Sequence, residues 1–201
     1  LKRMNLDYVD IFYSHRYDPV TPLEETLQTL VDIVRQGKAL YVGISKYPKE
    51  AAEFAYKYLA ERDVHCLLYQ GKYNLFNREP EEEGILRQAK ENGTGFIAFS
   101  PLAQGLLTNR YLNGIPEDSR MARGGFLKKE QLTEDVLSKI KALNKMAEER
   151  GQTLAEMALA WVLKDDLVTS VIIGASSVAQ LEDNLKAIRN TSFTKEELRR
   201  L

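Results

Sequence analysis

Short runs of β-branched and aromatic residues alternate along the chain with longer stretches in which apolar side chains recur every three or four positions. The runs are YVDIFYSH (residues 8–15), ALYVGIS (39–45), VHCLLYQ (64–70), GFIAFS (95–100) and VTSVIIG (168–174). Each predicts a strand buried on both faces, because the run is apolar rather than alternating. The stretches between them predict helices. Thr21-Pro22-Leu23-Glu24 predicts a capping box with proline at the first helical position. Leu23, Leu27, Leu30, Val31 and Val34 then form one apolar stripe, and Gly37 stands where a left-handed stop is wanted. Further helices are predicted over 51–62, over 82–92 with Gly93 as stop, and over 133–150 ending at Gly151. Thr153 with Glu156, Ser177 with Gln180 and Thr194 with Glu197 mark three more helix starts.

Strand starts at residues 8, 39, 64 and 95 fit minimal parallel βα units with right-handed crossovers. The fifth start, at 168, comes after a long gap that holds a Gly/Arg/Lys-rich loop, residues 102–132, and two helices. A long irregular loop in a compact domain is usually functional or disordered. Five βα units suit either an open doubly wound sheet or part of a barrel, since a full (β/α)8 barrel needs eight strands and about 250 residues. The opening Leu1-Lys2-Arg3-Met4-Asn5 reads as the last turn of a helix, and the final helix is barely two turns long. Both ends read as cut, so a fragment of a longer protein is expected.

Composition narrows the function classes. The 201 residues, 44% hydrophobic and 28% charged, can bury a core without disulfides or metals. Lys and Arg number 28 against 29 Asp and Glu, a net charge of −1, which argues against a nucleic-acid partner. Cys66 is the one cysteine, and no His/Cys cluster has metal-ligand spacing, so no metal site is expected. No apolar run approaches the ~20 residues of a membrane span, and no signal peptide is visible. A cytoplasmic location is the expectation.

Candidate chemistry gathers at one edge. His15 ends the first strand at the carboxyl side, where parallel α/β folds build their sites. Ser45, Lys46, Gln70, Phe99 and Ser100 end the next three strands in the same way. Repetition of that pattern predicts a ligand site without naming the ligand. Gly174-Ala175-Ser176-Ser177 leads into a helix N-terminus and suits an anion, unless Ser177 is only a cap. Arg110, Arg120 and Arg123 in the glycine-bearing loop suit a phosphate clamp, or equally a solvated basic loop. Neither GxGxxG nor GxxxxGK[ST] occurs. His65 and Cys66 read as packing residues.

The stretches LDYVDIFYSH (6–15), YVGIS (41–45), QGKYNL (70–75), FSPLA (99–103) and GASS…QLEDN (174–184) together resemble the aldo-keto reductases over nearly the whole chain. They most resemble its glyceraldehyde 3-phosphate reductase and potassium-channel β-subunit branches. The resemblance implies a TIM (β/α)8 barrel of which this chain holds strands four to eight, an incomplete barrel. It implies one partial barrel domain over residues 1–201 with a cofactor-clasping loop at about 102–132. NADP(H) is the implied cofactor and a small aldehyde or ketone the implied substrate, with a homo-oligomer among the outcomes the family allows. His15 matches the catalytic histidine that orients and polarises the carbonyl. Ser45 and Gln70 match residues on the nicotinamide carboxamide, and Phe99 the ring that stacks on the nicotinamide. Ser100 and Leu102 match the turn along the pyrophosphate, and Arg110 and Arg120 the cofactor-clasping loop. Ser176, Gln180, Asp183 and Asn184 match the adenosine end. Lys46 adjoins this set in place of the family's common asparagine. Gly71 stands where relatives often have proline, and Gly174 where one branch has lysine. The family's catalytic tyrosine, lysine and aspartate match no residue here. Two other readings compete: a shortened, inactive NADP(H)-binding module with a regulatory role, and a generic doubly wound binding domain.

Overall fold

The structure, a computed structural model, describes residues 1–201 apart from Asp118, Arg120, Arg123, Gly125 and Phe126. Five strands form one sheet in the order β1 (Val9–Ser14), β2 (Ala39–Ser45), β3 (Cys66–Lys72), β4 (Gly95–Phe99) and β5 (Ser170–Val171). Sequence order and spatial order coincide, as consecutive right-handed βα units require. β1 and β2 pair in parallel with Ser14 opposite Ile44, and β2 and β3 pair in parallel with Ser45 opposite Gln70. Among the described residues no helix is long and apolar enough to cross a membrane.

The chain divides into two compact units. The first comprises Leu1–Lys72, Glu79–Ile97 and Leu167–Ser170; the second comprises Tyr73–Arg78, Ala98–Asp166 and Val171–Leu201. β4 and β5 each begin in the first unit and end in the second.

In the first unit the helices bury the stripes that their spacing predicts. Helix α1 (Leu23–Arg35) buries Leu27, Leu30 and Val31, and α2 (Lys49–Ala60) buries Ala52, Ala55, Tyr56 and Leu59. Val42, Ile44, Tyr69 and Phe96 from the strands complete this core, with the Tyr69 and Phe96 rings stacked at 5.5 Å. Gly37 ends α1 at a φ of +68°, the left-handed geometry that glycine adopts without strain.

Four expectations are corrected here. Thr21 caps nothing: its hydroxyl donates to Asp18 Oδ2, in a turn that Asp18 also closes by accepting from the Val20 N–H. Pro22 therefore occupies the cap position. The helix expected over 82–92 is two helices, α3 (Glu79–Glu82) and α4 (Ile85–Glu91), because Gly84 turns left-handed between them. β1 and β2 are not buried on both faces: Asp10 and Phe12 of β1 and Leu40 and Tyr41 of β2 are exposed. The strand expected over 168–174 is only Ser170–Val171, flanked by single bonds from the Thr169 N–H to Phe96 O and from the Ile172 N–H to Ala98 O.

In the second unit, the described residues of loop 102–132 include short 3-10 turns at Ala103–Gly105, Asn109–Tyr111 and Lys129–Gln131. Leu106, Tyr111, Met121 and Leu127 join Ile140 and Met146 of α5 (Glu134–Glu149) and Leu154 and Met157 of α6 (Leu154–Val162) in one apolar cluster. Thr153 and Glu156 form the capping box that opens α6. Helix α7 (Val178–Leu185) follows β5, and α8 (Lys195–Arg200) closes the chain. Arg150 docks α8: it pairs with Glu197, donates to Ser192 O and lies 3.8 Å over the Phe193 ring.

Candidate functional site

The predicted residues fall into two groups, one in each compact unit, and each group stands on its own.

In the first unit His15 and Lys46 directly follow β1 and β2, Ser45 ends β2, and Gln70 lies two residues before the end of β3 rather than ending it as expected. Ser45 and Gln70 face each other in register, and the Lys46 N–H bonds Gln70 O at 3.2 Å. Ser45 is 2% exposed, and its hydroxyl finds no partner among the described residues. A buried hydroxyl left unmatched is costly, so its position at a strand end suits a polar ligand group. Lys46 takes a left-handed φ of +55°, which turns the chain sharply out of β2 and sends Tyr47 back into the core. The Tyr47 hydroxyl shares a 2.8 Å hydrogen bond with Ser14 Oγ, one residue before His15, and the Tyr47 carbonyl accepts from the Tyr69 hydroxyl at 2.7 Å. Tyr47 thus ties the ends of β1, β2 and β3 together. Burial raises the Tyr47 hydroxyl above its ordinary pKa, so it stays protonated. His15 itself is exposed. Burial also pushes the Cys66 thiol up to about 12, and a thiol held protonated is a packing residue rather than a nucleophile. His65, expected to pack within the strand, is exposed and precedes it, with Nε2 3.1 Å from Gly93 O.

In the second unit a cavity of about 340 Å³ collects five of the predicted residues: Phe99, Ser100, Leu102, Arg110 and Gln180. Its volume falls within the usual range for small-molecule sites. Ile172, Ile173 and Gly174 line another side of it. Ser100, Ala103 and Gln104 have φ of +54°, +47° and +60°, three left-handed non-glycine residues within five positions. Such strain persists where surrounding structure holds it, and it gathers at ligand sites. Helix α7 begins beside this cavity. Ser177 caps it by accepting from the Gln180 N–H, while Gln180 Oε1 accepts from the Ser176 N–H and hydroxyl. The capping box expected between Ser177 and Gln180 is therefore only half formed.

Three members of the adenosine set do not line the cavity. Ser176 is held by Gln180; Asp183 accepts from Lys186 Nζ at the exposed surface; Asn184 is buried, with Nδ2 unpartnered among the described residues. Arg120 and Arg123 lie outside the described residues. Among the described residues no group of His, Cys, Asp and Glu is placed to hold a metal ion. Sequence reasoning missed Tyr47 and Asn74, the two buried residues that hold the strand ends, and the cavity residues Gln104, Thr108 and Tyr111. Asn74 fell within residues 70–75 and the three cavity residues within loop 102–132, both stretches already singled out, whereas Tyr47 fell in neither.

The unmatched Ser45 hydroxyl in the first unit and the arginine-bearing cavity in the second each suit a polar ligand group.

Comparison with known proteins bears on this. The family model described as Aldo/keto reductase family matches residues 1–201. The chain is 54% identical over 202 residues to L-glyceraldehyde 3-phosphate reductase of Escherichia coli O157:H7, an alignment covering 98% of this chain and 58% of that protein. It is 38% identical over 192 residues to a probable voltage-gated potassium channel subunit beta of Arabidopsis thaliana, covering 94% of this chain and 58% of that one. Among solved structures it resembles the crystal structure of a thermostable aldo-keto reductase, Tm1743, with a TM-score of 0.74 at 30% identity, covering 98% of this chain and 60% of that one. The chain thus spans less than two thirds of the length of these relatives.

Proposed function

The chain belongs to the aldo/keto reductase family, and from that premise we propose that it forms the greater part of an NADPH site in a protein that reduces aldehydes or ketones. The observation that carries the reading is the second unit's cavity, where five residues matched to the cofactor line one space. When bound, NADPH supplies a hydride to the substrate carbon. The chain's own residues bind the cofactor and orient the carbonyl; none of them matches the family's catalytic tyrosine, the acid that would protonate the resulting alkoxide. His15 donates a hydrogen bond to the carbonyl oxygen and orients it. Ser45 and Gln70 hold the carboxamide, which fixes the face of the nicotinamide that meets the substrate, and Lys46 adds positive charge beside them. The Phe99 ring offers a stacking surface. Ser100 and Leu102 carry the turn along the pyrophosphate, and Arg110 and Arg120 oppose its charge. Ser176, Gln180, Asp183 and Asn184 serve the adenosine end. A small, phosphorylated aldehyde is the first substrate to try, given the name of the Escherichia coli relative.

A fluorescence titration of the 201-residue chain with NADPH and, in parallel, NADH tests this. Saturable binding that favours NADPH is expected. Equal binding of both nucleotides would favour a generic nucleotide domain, and binding of neither would remove the reading.

A further inference from the structure

We propose that Asn74 is a positioning residue of the cofactor cavity: its side-chain amide holds Ser100 in the left-handed turn that forms the cavity wall. This rests on the NADPH reading only for its functional consequence.

β4 ends at Phe99, and Ser100 leaves the ladder with a φ of +54°. That backbone geometry is disfavoured for any residue with a side chain, so something outside the turn must hold it. Two neighbours in the second unit do so. The Tyr73 N–H bonds Phe99 O at 3.4 Å, and Asn74 Nδ2 donates to Ser100 O at 2.9 Å. The Ser100 carbonyl also accepts from the Ala103 N–H at 3.0 Å, which closes the turn. Ser100 and its neighbours Phe99, Leu102, Gln104 and Gly105 all line the cavity, whereas Asn74 does not.

Asn74 is built for this task. It is 0% exposed. Its Oδ1 accepts from the Phe76 N–H at 2.9 Å, and its backbone exchanges two hydrogen bonds with Asn77. The Phe76 N–H can only donate and the Ser100 carbonyl can only accept, so the two partners fix which end of the amide is which. An aspartate of the same shape would lack the donor. An alanine would leave a hole, a Phe76 N–H without its acceptor, and the Ser100 carbonyl held by Ala103 alone.

The test uses hydrogen exchange and cofactor titration on the same proteins. In N74A the Ala103 amide should exchange about tenfold faster or more, from loss of the second bond that fixes its acceptor. NADPH affinity should fall about tenfold in the Ser100 background. Glycine takes positive φ without help, so in the S100G background N74A should cost less than about threefold. Unchanged exchange at Ala103, faster exchange with unchanged affinity, or equal affinity losses in both backgrounds would each overturn the proposal. If the unsubstituted chain binds no NADPH, the cofactor reading fails, and the exchange result alone decides whether Asn74 holds the turn. Should N74A not fold, Asn74→Ser carried through the same two backgrounds decides by the same ratio.

Discussion

Ser45 puts the chemistry of the strand ends into a single atom. Its hydroxyl is buried and unmatched among the described residues, a state that costs roughly 1–3 kcal/mol until a ligand group satisfies it. S45A therefore carries a two-sided expectation. NADPH should bind about tenfold more weakly, while the urea midpoint of the free chain should hold or rise, because alanine brings no polar group to desolvate. Unchanged affinity would show that the hydroxyl meets no part of the cofactor. Ser45 was legible in the sequence because it ends an apolar run beside other polar strand ends. Asn74 was not, because its partner Ser100 lies 26 residues away and no local pattern joins them. Tyr47 was hidden for a related reason. The turn at Lys46 reverses the side that its ring faces, and nothing in the spacing announces a left-handed lysine.

The elements follow their local signals where those signals are short-range. The capping boxes at Thr153 and Thr194 form because donor and acceptor lie within one helical turn. The one expected at Thr21 does not form: Pro22 holds the cap position, and the Thr21 hydroxyl donates to Asp18, three residues earlier. In β2, Gly43 sits opposite Tyr13 of β1 and Leu68 of β3. A Cβ there would come within 2.6 Å of the Tyr13 ring and 3.0 Å of the Leu68 carbonyl. G43A is thus expected to destabilise the chain by about 1–3 kcal/mol in urea unfolding, and a change of a few tenths would contradict that packing. At α8, the Thr194 N–H, with help from Arg150, holds the Glu197 carboxyl below its usual pKa. A carboxyl whose folded pKa is depressed stabilises above its unfolded pKa of about 4.3 and loses that contribution as pH falls through the folded value. The stability advantage of the unsubstituted chain over E197Q should therefore be full near pH 6 and shrink in acid. An advantage that persists at about pH 2 would contradict this sign.

At the scale of the whole molecule, the alternation of apolar runs and amphipathic stretches conveyed the parallel βα order, and the sheet order follows it. The packing of loop 102–132 was not legible, because Tyr111, Met121 and Leu127 are scattered among polar and glycine residues and find their partners only on α5 and α6. Among the described residues, two apolar surfaces bear on association. One is β1, at the end of the sheet, with Phe12 outward; the other is Val178, Leu181, Leu185 and Ile188 along α7 and the turn after it. Exposed edge strands and apolar stripes favour association, so sedimentation of the chain alone should show species heavier than a monomer. A monodisperse monomer would contradict that expectation. The central claim is that the carboxyl-edge residues form an NADPH site. Amide chemical shifts of the 15N-labelled chain during an NADPH titration test it most directly. Saturable shifts concentrated at Ser45, Gln70, residues 99–102, Arg110 and Gln180 are expected. Saturable shifts centred elsewhere, or none at all, would contradict it.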